Sequence, residues 1–185
     1  MIREEALKIA KPILFNTEMV RAILDGRKTQ TRIIASDTAN MVFECSGVCP
    51  SSKYKKGDIL YVRETFNDEG WDDQSPLIYR ADFSDDESKL YWWKPSVRMP
   101  KKYARTFLKV TNIRVEMLQD ICNNDAIREG FDYEDTEIGF PNGWAGATQT
   151  PRFSFAIDWN DEAKDGFRWD DNPYVFVYEF DMVEA

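Results

Sequence analysis

The densest cluster of reactive side chains in the chain is Gly26-Arg27-Lys28-Thr29-Gln30-Thr31-Arg32. A threonine hydroxyl attacks a carbonyl only after a neighbour takes its proton, and a lysine takes it only with a lowered pKa. Lys28 beside the Thr29 and Thr31 hydroxyls is therefore a candidate base–nucleophile set. The same residues also fit an edge strand with solvated Lys and Arg. Two further clusters suit ligand contact. Arg63-Glu64 interrupts a mostly apolar strand; Arg63 suits a phosphate and Glu64 a base edge, or the two form an internal ion pair. In Trp93-Lys94-Pro95-Ser96-Val97-Arg98, the Trp93 ring suits base stacking, with Ser96 and Arg98 as phosphate contacts. Trp93 also suits a plug at the end of a core.

The chain of 185 residues contains no histidine. That removes the commonest general base near neutral pH, along with Ser-His-Asp, Cys-His and His-metal sites. Catalysis is left to Lys, Glu, Asp, Tyr, Thr, Ser or Cys. The three cysteines, Cys45, Cys49 and Cys122, are odd in number, and the start MIREEALKIAKPILF has no signal-peptide form. They read as reduced cytosolic thiols. Cys45 and Cys49 have the spacing of half a zinc site, but one more cysteine and no histidine leave it incomplete. No metal and no cofactor are expected.

Net charge is −9, which opposes non-specific nucleic-acid binding. Charge is unevenly spread: residues 1–60 carry 10 basic and 7 acidic side chains, and residues 131–185 carry 3 basic and 13 acidic. Between Lys94 and Arg114 lie seven basic residues and no acid, with Trp92, Trp93 and Tyr103 in or beside the run. Cations interleaved with rings fit single-stranded nucleic acid or a nucleotide. They also fit a segment balanced in space by the acidic C-terminal third. No apolar run is long enough to span a membrane.

These residues need elements to position them. The sequence predicts a helix over 17–25, stopped by Gly26, and strands over 27–34, 59–65 and 77–81. Stretches 35–56, 67–75, 82–88 and 131–147 read as loops, several of them acidic. Strands follow at 104–110 and 113–117, separate or continuous, with a helix at 124–129 ended by Gly130. A further helix begins at Thr150-Pro151, with Phe155, Ala156 and Trp159 on its buried face. An alternating strand closes the chain at 174–181. This predicts an α+β fold or a partly open barrel, as one domain over 1–185 with acidic loop insertions.

The chain resembles the ASCH superfamily, and more closely its longer phage- and prophage-encoded members. The motifs that carry the resemblance are Lys11–Phe15 (KPILF), Gly26–Arg32 (GRKTQTR), Gly57–Thr65 (GDILYVRET), Trp93–Pro100 (WKPSVRMP) and Leu118–Gly130 (LQDICNNDAIREG). The resemblance implies a small mixed β-barrel of PUA-like fold with two to three peripheral helices and a cleft for RNA or a nucleoside. Small bacterial members are N4-acetylcytidine amidohydrolases that use a Lys, a Thr and a Glu. Carried over, Thr31 attacks the acyl carbon, Lys28 accepts its proton and Glu129 orients or shuttles protons, without a metal. Cys122-Asn123 stands where Ser or Thr is the usual helix cap.

Three functions follow as expectations. The first is amidohydrolysis of an N4-acylated cytidine nucleoside or base in the cytoplasm of a bacterial host. The second is binding of a modified base or single-stranded RNA without chemistry. The third, a phage structural or morphogenetic role, has no coiled coil or long arm to recommend it.

Overall fold

The computed structural model describes residues 3–35, 52–68, 77–132 and 150–183. Helix α1 (Arg3–Ile9) and strand β1 (Lys11–Leu14) open the chain. Neither is among the elements expected from sequence, because a helix of 7 residues and a strand of 4 give periodicity too little length to register. Helix α2 (Thr17–Leu24) starts where the Asn16 side chain accepts from the Met19 N–H and ends at Gly26, whose φ of 75° suits glycine alone.

Strands β2 (Gln30–Ile34) and β3 (Ile59–Arg63) fall inside their expected ranges. The expected strand over 77–81 shrinks to β5 (Ile78–Tyr79), which pairs with β4 (Phe66–Asn67) as a separate ribbon. Part of the expected loop 82–88 is helix α3 (Asp85–Ser88). A capping box starts it, in which Ser84 and Glu87 satisfy each other's backbone N–H groups. The proline-bracketed stretch forms two 3-10 turns, Ser96–Arg98 and Lys101–Tyr103. Residues 107–117 form one strand, β6 (Phe107–Met117). Helix α4 (Asn123–Arg128), helix α5 (Pro151–Glu162) and strand β7 (Tyr174–Val183) complete the chain.

The five longer strands form a mixed sheet in the order β1-β3-β6-β7-β2. Strand β1 runs parallel to β3 and antiparallel pairs join β3 to β6 and β2 to β7. Among the described residues no pairing joins the edges β1 and β2, so the sheet does not close into the expected small mixed β-barrel. Closure needs every edge paired, and the strand at 78–79 takes β4 as its partner instead of a sheet edge.

The chain divides into two compact units: Met1–Gly26, Lys56–Thr111 and Phe180–Ala185 in the first, Arg27–Lys55 and Asn112–Glu179 in the second. Both are discontinuous in sequence, so no single cut separates them. The first unit has a core of Ala6, Ala10, Ile59, Tyr61, Phe66, Met99, Ala104 and Phe107. The second is built on Leu118, Ile121, Ala126, Phe155, Val175 and Val177, with Phe131, Trp159 and Trp169 packed against them. Of the face expected on α5, Phe155 is buried, whereas Ala156 and Trp159 are only partly so. No helix among the described residues is long and apolar enough to cross a membrane.

Helix α4 is capped by the Cys122 sulfur, which accepts from the Asp125 N–H at 3.4 Å. Sulfur is a weak acceptor, so Cys122→Ser should stabilise the fold by about 0.5–1 kcal/mol. Urea unfolding of the two proteins checks this, and an unchanged or lower midpoint would show that the cap contributes nothing.

Candidate active site

The second unit assembles the site around the turn that ends α4. Glu129 occupies the C-cap position, its N–H donating to the Asp125 carbonyl at 2.9 Å, and Gly130 follows with φ of 105°. Residues 27–29 run alongside this turn in antiparallel order. The Thr29 N–H donates to the Arg128 carbonyl at 2.8 Å, and the Arg27 guanidinium donates to the Gly130 carbonyl at 3.0 Å. Lys28 lies between these two links and meets Glu129.

Lys28 Nζ donates to Glu129 Oε2 at 2.9 Å and to the Glu129 carbonyl at 2.8 Å. The two side chains are 0% and 3% exposed. The other carboxylate oxygen, Oε1, accepts from an Arg32 Nη at 2.8 Å. Arg32 also donates to Glu116 and lies 3.6 Å from an Asp125 oxygen, while its guanidinium carbon sits 5.7 Å from the Phe155 ring centroid. Arg114 extends the network to Glu116 (2.9 Å), Asp125 (3.3 Å) and Glu179. Arg128 reaches Glu179 at 3.4 Å.

Four cations and four carboxylates thus share one network with no net charge. Burial lowers the pKa of Arg114, but the hydrogen bond and charge of Glu116, with Asp125 and Glu179, outweigh it and leave it raised. Burial raises the pKa of Asp158 on α5; Glu162, Asp161 and Glu129 push the same way and Lys28 opposes them.

Thr31 is buried, but on the other face of β2. Side chains alternate along a strand and directly opposed residues share a face. Gln30 and Arg32, opposite Glu179 and Val177, face the charged network; Thr31, opposite Tyr178, faces away. Its neighbour Tyr178 accepts from the Lys53 N–H at 3.1 Å and packs edge-on against Tyr54. Among the described residues no hydrogen bond joins the Thr31 hydroxyl to Lys28 or Glu129. The structure therefore brings together two of the three expected catalytic residues.

The five expected ligand contacts lie in the first unit. Arg63 donates to the carbonyls of Met99, at 3.2 Å, and Val97. Glu64 is buried and pairs not with Arg63 but with Arg105, through two bonds of 2.9 Å. Arg105 also bonds Asp82 at 2.7 Å and lies over the Tyr79 ring. Burial raises the Glu64 pKa against the pull of Arg105. Trp93 packs with Phe83 and Tyr91 and donates its indole N–H to the Ser88 carbonyl at 2.7 Å. Its ring is partly buried in this cluster, whereas Trp92 is 91% exposed. Ser96 and Arg98 bound a 3-10 turn, and Arg98 is exposed.

The basic run is largely spent within the protein. Lys94 pairs with Asp68, Lys101 donates to the Ala10 carbonyl, Arg105 holds Glu64 and Asp82, and Arg114 joins the charged network. Arg98, Lys102 and Lys109 are exposed, the first two on the 3-10 turns and the third on β6.

Sequence reasoning missed Arg32, Glu116, Asp125, Glu179 and Asp158. The available signal was alternation: a strand at 30–34 puts Arg32 on the face of Gln30 and away from Thr31. Cys45 and Cys49 lie outside the described residues; Cys122 is a free, exposed thiol. Among the described residues no group of three or more side chains suits a metal ion. No family model, curated protein or solved structure matches the chain.

Removing the Glu129 carboxylate strips Lys28 of its charged partner in a buried site. Glu129→Leu should destabilise by about 3–5 kcal/mol, and Lys28→Met added to it should restore most of that loss. Denaturant unfolding of the four proteins of this cycle measures the coupling; additive losses would mean the pair is not energetically linked.

Proposed function

We propose that the protein is a divergent ASCH-like, PUA-related hydrolase of an N4-acylated cytidine nucleoside or base, active in the cytoplasm of a phage-infected or prophage-carrying bacterium. The observation that carries the reading is the 2.9 Å contact between Lys28 and Glu129, two residues 101 positions apart to which the resemblance assigns one site. A buried ion pair is seldom the most stable filling for a core. The internal neutralisation of the basic run favours a small neutral substrate over a polymer.

Lys28 and Glu129 supply the charged pair of this reading. Thr31 is the hydroxyl that the resemblance assigns to the attack. Its place on the opposite face of β2 makes water the other candidate for that step. Binding of a modified base or single-stranded RNA without chemistry is the second reading. It draws on the exposed Trp92 ring and the exposed Arg98 and Lys102.

Hydrolysis of N4-acetylcytidine, followed by ultraviolet absorbance, tests the first reading. Wild type should turn over, and Lys28→Met and Glu129→Gln should each lose about 100-fold or more while near-ultraviolet circular dichroism shows intact folding. Thr31→Val with retained turnover assigns the attack to water; its loss assigns it to Thr31. Inactive wild type whose Trp fluorescence responds to single-stranded RNA, more weakly as salt rises, would replace the first reading with the second.

A further inference from the structure

Amide hydrolysis needs a group that takes a proton from the attacking oxygen and returns it to the leaving nitrogen. Neither member of the Lys28–Glu129 pair is well placed for that exchange. Each Glu129 oxygen already accepts from a cation, and Lys28 Nζ donates twice to Glu129. Both side chains are buried.

Asp158 is differently placed. It lies on α5 one turn beyond Phe155, and residues three apart share a helix face. The Phe155 ring sits against the Arg32 guanidinium at 5.7 Å and meets the Phe131 ring edge-on at 5.6 Å, two residues after Glu129. The face that packs Phe155 against the charged network therefore carries Asp158. Its side chain is partly buried, and among the described residues no hydrogen bond or ion pair engages its carboxylate. The charged groups that act on it are Lys28 ahead of β2, Glu129 at the end of α4, and Asp161 and Glu162 on its own helix.

We propose that Asp158 is the proton-exchanging residue of this site, a catalytic residue that the resemblance does not assign. The inference rests on the hydrolase reading. As the attacking oxygen bonds to the acyl carbon, the Asp158 carboxylate takes its proton. As the bond from the acyl carbon to N4 breaks, the Asp158 carboxyl gives that proton to N4. With water as the attacker, one water is consumed, a carboxylic acid and a free amine form, and Asp158 ends ionised as it began.

Burial makes ionised Asp158 a burden on the folded state, and the sign follows. Its folded pKa is raised above the unfolded value, so stability falls as pH rises through the folded pKa. Asp158→Asn should therefore raise Tm at neutral pH by a few degrees, and the gain should vanish below the ordinary aspartate pKa. A residue that weakens the fold at neutral pH while serving the reaction is a familiar compromise.

The test measures N4-acetylcytidine hydrolysis by wild type, Asp158→Asn and Asp158→Glu as a function of pH, with thermal melts of each. Asp158→Asn should lower kcat about 10²- to 10⁴-fold and abolish the acid limb of the profile. Asp158→Glu should restore part of the rate, with that limb shifted. Active wild type with an Asp158→Asn variant that keeps its rate and acid limb would overturn the inference and leave the hydrolase reading standing. No turnover by folded wild type overturns both. If Asp158→Asn does not fold, the Asp158→Glu limb decides: a shifted limb supports the role and an unshifted one overturns it.

Discussion

The Glu129 carboxylate is the point on which the second unit depends. One oxygen accepts from Lys28 and the other from Arg32, and all three side chains are buried. Removing any one leaves charge in a place where water cannot solvate it, which is costly in a way that a missing surface pair is not. The turn that presents Glu129 is accordingly tied down by its backbone as well, through Thr29 to Arg128 and Arg27 to Gly130. From Arg32 the same constraint spreads to Glu116 and Asp125, and through Arg114 and Arg128 to Glu179.

This use of charge changes the meaning of the composition. An acidic chain with seven basic residues and no acid between Lys94 and Arg114 looks, in sequence, like a solvated acid surface with a positive strip for nucleic acid. In the folded protein, Arg105 clamps buried Glu64 over the Tyr79 ring, Lys94 holds Asp68, and Arg114 joins three carboxylates. Cations placed this way stabilise carboxylates that burial would otherwise neutralise. In these positions the cations are engaged by carboxylates of the protein itself.

The second unit also separates two kinds of acid. Glu129 has both oxygens occupied by cationic donors and is held as an anchor. Asp158 is partly buried, and its charge is opposed by burial and by Glu162. Two carboxyls of one unit thus have different surroundings, one fixed by two cationic donors and one opposed by burial and neighbouring acids.

Much of the local structure was legible in the sequence. Asn16 and Gly26 mark the ends of α2, the alternation of 174–181 marks β7, and Thr150-Pro151 marks the start of α5, because caps and periodicity act over a few residues. The pairing of Lys28 with Glu129 was legible only through the ASCH resemblance. Arg32, Glu116, Asp125 and Asp158 were not, since Glu116 and Asp125 lie 84 and 93 positions from Arg32 and meet it only after the strands are laid side by side, and Asp158 feels Lys28 and Glu129 only in the folded chain. The open sheet is likewise a matter of which strands pair, which the residues of one strand do not set, whereas the opposite facing of Thr31 and Arg32 follows from alternation along β2. Short-range rules of capping and alternation thus belong to the sequence by itself, while the sharing of one buried carboxylate between two cations was decided by the tertiary fold, because only packing removes the water that would otherwise have solvated each charge alone.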